Sequence, residues 1–307
     1  MSTFIIRRLI VSVFLVIGLV AIVFFMLRTI VPGDPVLVLA GENAPPEVIE
    51  SIRRRQGLDK PIWQQFVIFL LNAAHGDLGQ TIMTRQPVTE RVLLAFPVTL
   101  RLTAICFTYT MILGLIVGVV TAYWQDTWLD NLVRVLTVTG ASMPTFWLGL
   151  VLILIFAVRL NWFPVQGDIS VRGLILPSIT LGTGSAAFLA RLVRASMLEV
   201  LNSEYIRAAR AKGARELRVV LKHGLRNAMI PILTVAGFQI GGLLGGAVIT
   251  ESIFSLAGMG TLAINAIHNR DYPLIQGFVL FISVTYLLIN LLVDISYAIF
   301  DPRVRYS

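Results

Sequence analysis

Apolar stretches without any charged residue recur along the chain and are separated by shorter polar segments. A helix crosses a bilayer with about 20 residues at a rise of about 1.5 Å per residue. Six charge-free stretches are long enough: Leu9–Leu27, Leu102–Gln125, Val135–Val158, Gly173–Ala190, Asn227–Thr250 and Tyr272–Val293. Because hydrocarbon offers the backbone no hydrogen-bond partner, each stretch is predicted to be helical. The pattern therefore predicts an all-α integral membrane protein with six transmembrane helices.

A chain of this length fits a single transmembrane domain, predicted here over residues 1–307. An outer segment is expected at residues 31–97 and a cytoplasmic coupling loop at 199–227. The six spans are expected at about residues 9–30, 98–123, 134–159, 173–195, 228–250 and 273–298. Two further apolar stretches fit a span less well. Pro61–Gly76 is short and partly polar, so an interfacial helix is expected. Ser252–Asn269 contains two glycines and several polar residues, and it is expected to be re-entrant or superficial.

The placement of Lys and Arg predicts the orientation, because these residues concentrate in cytoplasmic loops. Arg7 and Arg8 precede the first helix. With six spans, the basic segment 191–226 and the C-terminal tail lie on that same side. The opposite short loop, residues 159–172, holds only its two bordering arginines. Both termini are therefore predicted to be cytoplasmic.

Composition supports a membrane protein, since 56% of the residues are hydrophobic and only 14% are charged. Soluble proteins carry roughly a quarter charged residues. The net charge of +8 also fits a nucleic-acid-binding protein. The basic residues lie in the predicted cytoplasmic loops, however, so topology explains them and no nucleic-acid partner is expected. The single cysteine, Cys106, excludes a disulfide within the chain.

No pattern typical of a catalytic, nucleotide-binding or metal site occurs in the sequence. It contains neither GxxxxGK[ST] nor GxSxG, and the three histidines are far apart. No Asp, Glu, Lys or Arg lies deep in the six stretches, which argues against a proton- or ion-driven carrier. We expect no metal and no cofactor in this chain.

Small residues recur at helix-packing spacing in two of the predicted spans. Gly237, Gly241 and Gly245 are four residues apart, and Gly114 and Gly118 repeat that spacing. In lipid, such spacing lets two helix backbones approach closely. The three glycines of the fifth span are interpreted either as a helix pair that moves at a central pathway or as static packing.

A dense basic block at residues 204–231 interrupts this apolar pattern, with seven Lys or Arg against two Glu. Its alanines favour a helix and Gly213 divides it. Before the glycine, Tyr205, Ala208 and Ala209 fall on one face. After the glycine, an apolar stripe is predicted to pack against the membrane domain: Leu217, Val220, Leu221 and Leu225. The block is either a helix–turn–helix that offers small residues to another protein, or an amphipathic helix on anionic lipid.

The block resembles the cytoplasmic EAA loop of permease subunits of ABC importers. That family's pattern is close to EYxxAAxxxG followed by a His-x-Leu-x-Asn segment. The matching residues here are Glu204, Tyr205, Ala208, Ala209 and Gly213, then His223, Leu225 and Asn227. Proline often precedes that asparagine in the family, whereas this chain has Arg226, which favours a continuous helix.

The resemblance covers nearly the whole chain and is to the dipeptide/oligopeptide permease subfamily. The matching motifs are Pro32-Gly33-Asp34-Pro35, GDLGQT at 76–81, PVTLRLT at 97–103 and DPRVRY at 301–306. The chain departs from the family at Ala257-Gly258, where Pro-Gly is usual.

The resemblance implies a non-catalytic permease subunit in the bacterial inner membrane, surrounded by lipid and paired with a second homologous permease. Two ABC ATPase subunits would bind ATP and Mg, and an extracytoplasmic binding protein would deliver substrate. It implies import of di- or oligopeptides by alternating access, or of glutathione, a nickel chelate, an opine or a sugar. It assigns ATPase coupling to Glu204, Tyr205, Ala208, Ala209 and Gly213.

Two other functional classes remain open: an ATP-independent secondary transporter or channel, and a membrane-anchored scaffold. The outer segment also has two interpretations. Pro45-Pro46 is predicted to begin a helix that ends at Gly57, and an apolar helix follows. This segment is either a docking and gating element for a binding protein or a lid over helix ends.

Overall fold

The structure, a computed structural model, describes residues 2–29, 44–55, 58–165 and 167–300. Within these residues it is helical and has no β-strand, apart from one isolated antiparallel bridge between Gln80 and Pro87. The predicted all-α class is therefore confirmed. Three predicted features lie outside the described residues: the Pro32–Pro35 motif, Gly57 and the motif at 301–306.

Eleven helices are found in the described part of the chain. In order they are α1 (Ser2–Thr29), α2 (Pro46–Arg55), α3 (Ile62–Ala74), α4 (Val88–Tyr123), α5 (Trp128–Ser142), α6 (Thr145–Arg159), α7 (Val171–Leu201), α8 (Glu204–Ala211), α9 (Glu216–Ile253), α10 (Met259–His268) and α11 (Tyr272–Phe300). Two segments within them have π-helical hydrogen bonding, Ile153–Arg159 in α6 and Val219–Leu225 in α9.

Five helices are long and apolar enough to cross a membrane: α1, α4, α7, α9 and α11. The helices α5 and α6 together are long and apolar enough for a sixth crossing, but they are bent by 104° at a short break, as in a broken span or a re-entrant loop. The sequence pattern predicted one continuous helix there. The break lies at Met143 and Pro144, where Met143 is extended with ψ 128°. Proline disfavours a helical conformation in the residue before it, which explains the interruption.

The structure divides into two compact units, and the first comprises residues 1–97 and 257–288. In this unit α1 packs on α3 through aromatic rings, with the Phe24 ring 5.2 Å from that of Phe66. Asp271 precedes α11, and its buried carboxylate accepts hydrogen bonds from the backbone nitrogens of Ile82 (2.9 Å) and Leu274 (3.2 Å). Burial raises the pKa of Asp271 above its ordinary value. This carboxylate therefore joins the loop before α4 to the start of α11.

The second unit comprises residues 98–256 and 289–307. Here α4 approaches α7 closely where the sequence places small residues. A Cβ atom built on Gly118 would lie 2.5 Å from Val193 Cβ and 2.7 Å from the carbonyl oxygen of Ala190. At Gly114 the same construction meets Leu189 Cβ at 2.9 Å. Both glycines are therefore required by the distance between the two helices.

Replacing Gly118 by alanine is expected to destabilise the protein by about 2 kcal/mol, because one of the atoms it meets is backbone and no rotamer change removes the clash. Thermal unfolding in a fixed detergent measures the effect. Gly18 of α1 is the matched control, since no atom lies within 4 Å of its Cβ position. G18A should leave the melting temperature unchanged or slightly higher. An unchanged melting temperature in G118A would contradict the described packing of α4 on α7.

A buried carboxylate lies inside a membrane-spanning helix, one residue beyond the charge-free stretch that predicted it. Helix α9 continues to Ile253, so Glu251 is in its last turns and is fully buried. The hydroxyl of Thr99 on α4 donates to Glu251 Oε1 at 2.5 Å. The charge-free stretch ends at Thr250 and therefore left out Glu251, whereas helix α9 extends past this residue to Ile253.

Candidate functional site

The basic block forms two helices, α8 and the beginning of α9, joined by a turn at Gly213. Gly213 has φ +79°, and its nitrogen donates to the carbonyl oxygen of Arg210 at 2.9 Å. The nitrogen of Ala214 donates to Ala209 at 3.2 Å, which completes the helix end. No atom lies within 4 Å of a Cβ built on Gly213. The position therefore requires glycine for its backbone conformation and not for space.

G213A is expected to weaken the turn by about 1 kcal/mol, because alanine is strained at positive φ. G213N should cost less, since asparagine tolerates the left-handed region better. Limited proteolysis of the purified protein measures this, with cleavage at the turn faster in G213A than in G213N and slowest in the native chain. Equal cleavage in all three would contradict a conformational requirement at this glycine.

Two side-chain connections fasten α8 to α9 across this turn. Arg210 donates to both oxygens of Glu216, with Nη2–Oε1 at 2.7 Å and Nε–Oε2 at 3.2 Å. This bidentate bond raises the pKa of the Arg210 guanidinium above its ordinary value. Tyr205 Oη accepts from Asn227 Nδ2 at 2.8 Å, and the same amide donates to the carbonyl oxygen of His223 at 3.0 Å. The two halves of the sequence motif are therefore in direct contact.

One face of α8 is anchored and another is free. Ile206 is completely buried, whereas Glu204 and Ala208 are exposed and Ala209 is partly buried. Sequence reasoning missed Ile206. The available signal was that it is the only aliphatic side chain larger than alanine in α8, which reads EYIRAARA. The four residues of α8 assigned to coupling and Gly213 thus lie on one short element with an accessible surface.

The predicted apolar stripe after Gly213 is only partly correct. Val220 is buried and Leu225 is partly buried, but Leu217 is 72% exposed and Leu221 is 49% exposed. The π-helical segment Val219–Leu225 explains the difference. Each residue of a π-helix turns less about the axis than in an α-helix, so a three-to-four spacing no longer keeps side chains on one face. Leu217 and Leu221 therefore do not pack back on the membrane helices of this chain.

The three glycines of α9 predicted as a packing stripe are separated by the structure into two environments. Gly237 and Gly241 are buried, whereas Gly245 is exposed and has no atom within 4 Å of its Cβ position. Gly242 is likewise exposed and open. These glycines lie in the membrane part of α9 and not in the basic block at residues 204–231.

A charged cluster that sequence reasoning missed joins α5 to α7, the helix that leads into the coupling block. The carboxylate of Asp130 is completely buried. It accepts from Arg194 at 3.0 Å (Nε–Oδ1) and 2.8 Å (Nη2–Oδ2), and from Arg134 Nη2 at 2.7 Å. Thr127 caps α5 by accepting from the nitrogen of Asp130. The cluster was missed because α5 begins at Trp128, in residues that the charge pattern assigned to a cytoplasmic loop.

Comparison with known proteins places the chain in a family. Residues 114–306 match the model of the binding-protein-dependent transport system inner membrane component, and residues 1–103 match the model of the N-terminal part of such membrane components. The chain belongs to this permease family. As such a permease, it lies in the bacterial inner membrane as a multi-pass protein.

Relatives of the permease cover it from end to end. The glutathione transport system permease protein GsiC of Escherichia coli strain K12 is 42% identical over 307 residues, with 100% of both chains covered. The protein of the same name from Pectobacterium atrosepticum is 45% identical over 289 residues, or 94% of each chain. The permease is thus similar in length and in all its segments to these proteins.

Solved structures agree with the fold of the permease. An inward-facing conformation of the MetNI methionine ABC transporter matches with a TM-score of 0.59 and 21% identity, over 68% of this chain and 96% of that one. An amino acid ABC transporter crystallised with histidines matches with a TM-score of 0.50 and 17% identity, over 70% and 94%. The permease therefore has the fold of ABC transporter membrane subunits, and it functions as a permease subunit of a binding-protein-dependent ABC importer.

Proposed function

We propose that this permease imports short peptides, with glutathione or di- and oligopeptides as the substrate. The relatives named as glutathione permeases support this, because their similarity runs the full length of the chain at 42% identity. Glutathione is itself a tripeptide, so the two substrate classes share carboxylate, amine and amide groups. The dipeptide/oligopeptide motifs of the sequence point to the same chemistry.

The coupling block supports a second part of the proposal, that α8 binds an ABC ATPase subunit. The observation that carries it is a short helix fastened at Arg210–Glu216 and Tyr205–Asn227, with Glu204 and Ala208 facing outward. A fastened helix transmits a displacement to the membrane helices, whereas a mobile loop would absorb it.

The permease family supports the remaining partners of the proposal. A second homologous permease would complete the pathway, and the open face at Gly242 and Gly245 is suited to close helix contact with it. Two ATPase subunits would bind ATP and Mg²⁺, so this chain would itself be non-catalytic. An extracytoplasmic binding protein would deliver substrate, with the outer segment that contains α2 and α3 as its docking element.

Uptake by cells tests the substrate class. A strain lacking the permease is complemented with the native chain or with an empty vector, and uptake of radiolabelled glutathione and of a radiolabelled dipeptide is measured. We expect permease-dependent uptake of one of the two, with the other as a weak competitor. Failure of both substrates, with the complete assembly present in the membrane, would refute import of short peptides.

Disulfide cross-linking tests the ATPase contact. The single native cysteine, Cys106, is buried, so it gives little background. Ala208→Cys should cross-link to a cysteine in the surface cleft of the ATPase subunit. Arg207→Cys, which is also exposed but lies about 100° around α8 from Ala208, should cross-link more slowly. No cross-link from position 208 across a set of cleft cysteines would refute this docking surface.

A further inference from the structure

A polar cavity of about 510 Å³ lies in the unit formed by residues 1–97 and 257–288. Its walls come from the end of α1, from α2 and α3, from the loop before α4 and from the first turn of α11. The charged and amide side chains that line it include Arg28, Arg54, Lys60, Asp77 and Gln276. The coupling block is in the other unit, so this cavity is separate from the site described above.

Arg28 is held in place but keeps one unused donor. Its Nε donates to Gln65 Oε1 at 2.8 Å, and its guanidinium carbon lies 3.8 Å from the centroid of the Phe24 ring. Gln65 is fixed in turn, because its Nε2 donates to the carbonyl oxygen of Lys60 at 2.8 Å. Arg28 Nη1 is buried and makes no hydrogen bond to any residue that the structure describes. The wall of the cavity therefore contains an oriented guanidinium whose Nη1 donor is buried and unsatisfied.

Gln276 supplies a second unused donor on the wall of the same cavity. The residue is only 4% exposed, and its Nε2 is buried without a hydrogen-bond partner among residues 2–29, 44–55, 58–165 and 167–300. Buried amide and guanidinium donors are normally satisfied in folded proteins, because an unmade bond costs free energy. Two unsatisfied donors lining one cavity indicate an acceptor that binds between α1 and α11.

The charge balance selects an anionic acceptor. Three basic side chains line the cavity against one acidic side chain, and Asp77 is already engaged as acceptor for the nitrogen of Gly79 at 2.9 Å. Arg54 has only an exposed partner, Glu50, at 3.5 Å. An anion with several acceptor oxygens fits these groups.

The surface beside the cavity resembles a membrane interface. Helix α3 has no buried residue, and its apolar side chains are exposed, with Trp63 at 61% and Leu71 at 58%. Arg28 lies at the end of α1 opposite the cytoplasmic terminus, next to residues suited to acyl chains and to the aromatic belt. The cationic groups are thus placed where lipid phosphates lie.

From these observations we propose that the cavity binds a phosphate group, supplied by a phospholipid head group at the outer surface of the membrane. Arg28 and Gln276 donate to its oxygens, and Lys60 and Arg54 add positive charge at the rim. Soluble phosphate has the same chemistry, and the experiment distinguishes the two sources.

The test measures lipids retained by the full-length chain, purified in detergent and titrated with phosphatidylglycerol during native mass spectrometry. Q276E keeps the size of the side chain and adds a negative charge, and it should weaken lipid retention at least tenfold. R28Q and the exposed-site variant K60Q should weaken it less, by about three- to tenfold. The matched control is R91Q, an exposed arginine of the same unit that does not line the cavity.

A second arm adds inorganic phosphate to delipidated protein and follows the melting temperature. Lipid retention that depends on Gln276 and is not displaced by millimolar phosphate supports the head-group site. Stabilisation by phosphate that Q276E abolishes, without selective lipid retention, overturns the lipid source. Retention and melting temperatures that are equal in native, Q276E and R91Q proteins overturn the site itself. A folding defect in R28Q does not affect the outcome, because Q276E and K60Q test the same cavity from other walls.

Discussion

A209E is expected to stop substrate uptake while leaving the protein inserted in the membrane. Ala208 and Ala209 present only methyl groups on α8, so a partner approaches the helix backbone closely there. Glutamate at position 209 adds volume and negative charge to that surface. Uptake should fall about tenfold or more, since a misfit at a tight interface costs upwards of about 1.4 kcal/mol. The measurements are radiolabelled uptake, ATP hydrolysis by the purified assembly and the amount of permease in the membrane.

The control for this change is R207E, which places glutamate at an exposed position of the same helix, about 160° around its axis from Tyr205 and Ala209. The ion pair that it removes, with Glu204, is exposed and contributes little. Uptake in R207E should stay within about twofold of native, as surface substitutions usually have small effects. Native uptake in A209E would refute the coupling role of α8. An equal loss in R207E would show that α8 is sensitive to charge generally and has no specific contact face.

D130N is expected to cause the largest loss of stability, by about 3 kcal/mol, because it leaves Arg194 without its counter-charge. Removal of one partner from a buried, hydrogen-bonded ion pair is strongly destabilising. Asp130 is completely buried, and Arg194 bonds to both of its oxygens. The melting temperature of the purified protein should fall by roughly 5 °C or more.

R134Q provides the comparison, because its side chain is 46% exposed and donates to only one oxygen of Asp130. Its effect should stay below about 1 kcal/mol. R194Q should resemble D130N, and the double variant D130N/R194Q should lose less than the sum of the two. Strict additivity, or a D130N protein as stable as R134Q, would contradict the ion-pair geometry.

The crossings were predictable because each is long and free of charge, and lipid leaves the backbone little choice but a helix. The sequence also contains the cause of the bend between α5 and α6, which is Met143-Pro144. A count of apolar residues does not detect it. Glu251 was not predicted to lie in a membrane span for a related reason. Charge-free limits end at the first charged residue, whereas a helix continues wherever that residue finds a partner such as Thr99.

The coupling block was predictable from residue types at fixed spacing, since glycine, alanine and tyrosine each fill a local geometric need. The contacts that anchor this block to the rest of the chain were less predictable. The π-helical segment Val219–Leu225 shifts the side chains in a way that α-helical periodicity cannot anticipate, which exposes Leu217 and Leu221. The Asp130–Arg194 pair joins residues 64 positions apart. Such pairing depends on how α5 and α7 pack, and no local pattern encodes it.

The connection of α8 to α9 has a mechanical consequence. Helix α9 has 38 residues, which corresponds to about 57 Å from end to end. Because Arg210 is bonded to Glu216 and Tyr205 to Asn227, a force applied to α8 would act on the cytoplasmic end of this helix. A rod that pivots near its middle moves its far extremity in the opposite sense by a similar amount. Small displacements of α8 on the cytoplasmic side would thereby open or close the outer side of the protein, without any change in the hydrogen bonds within α9.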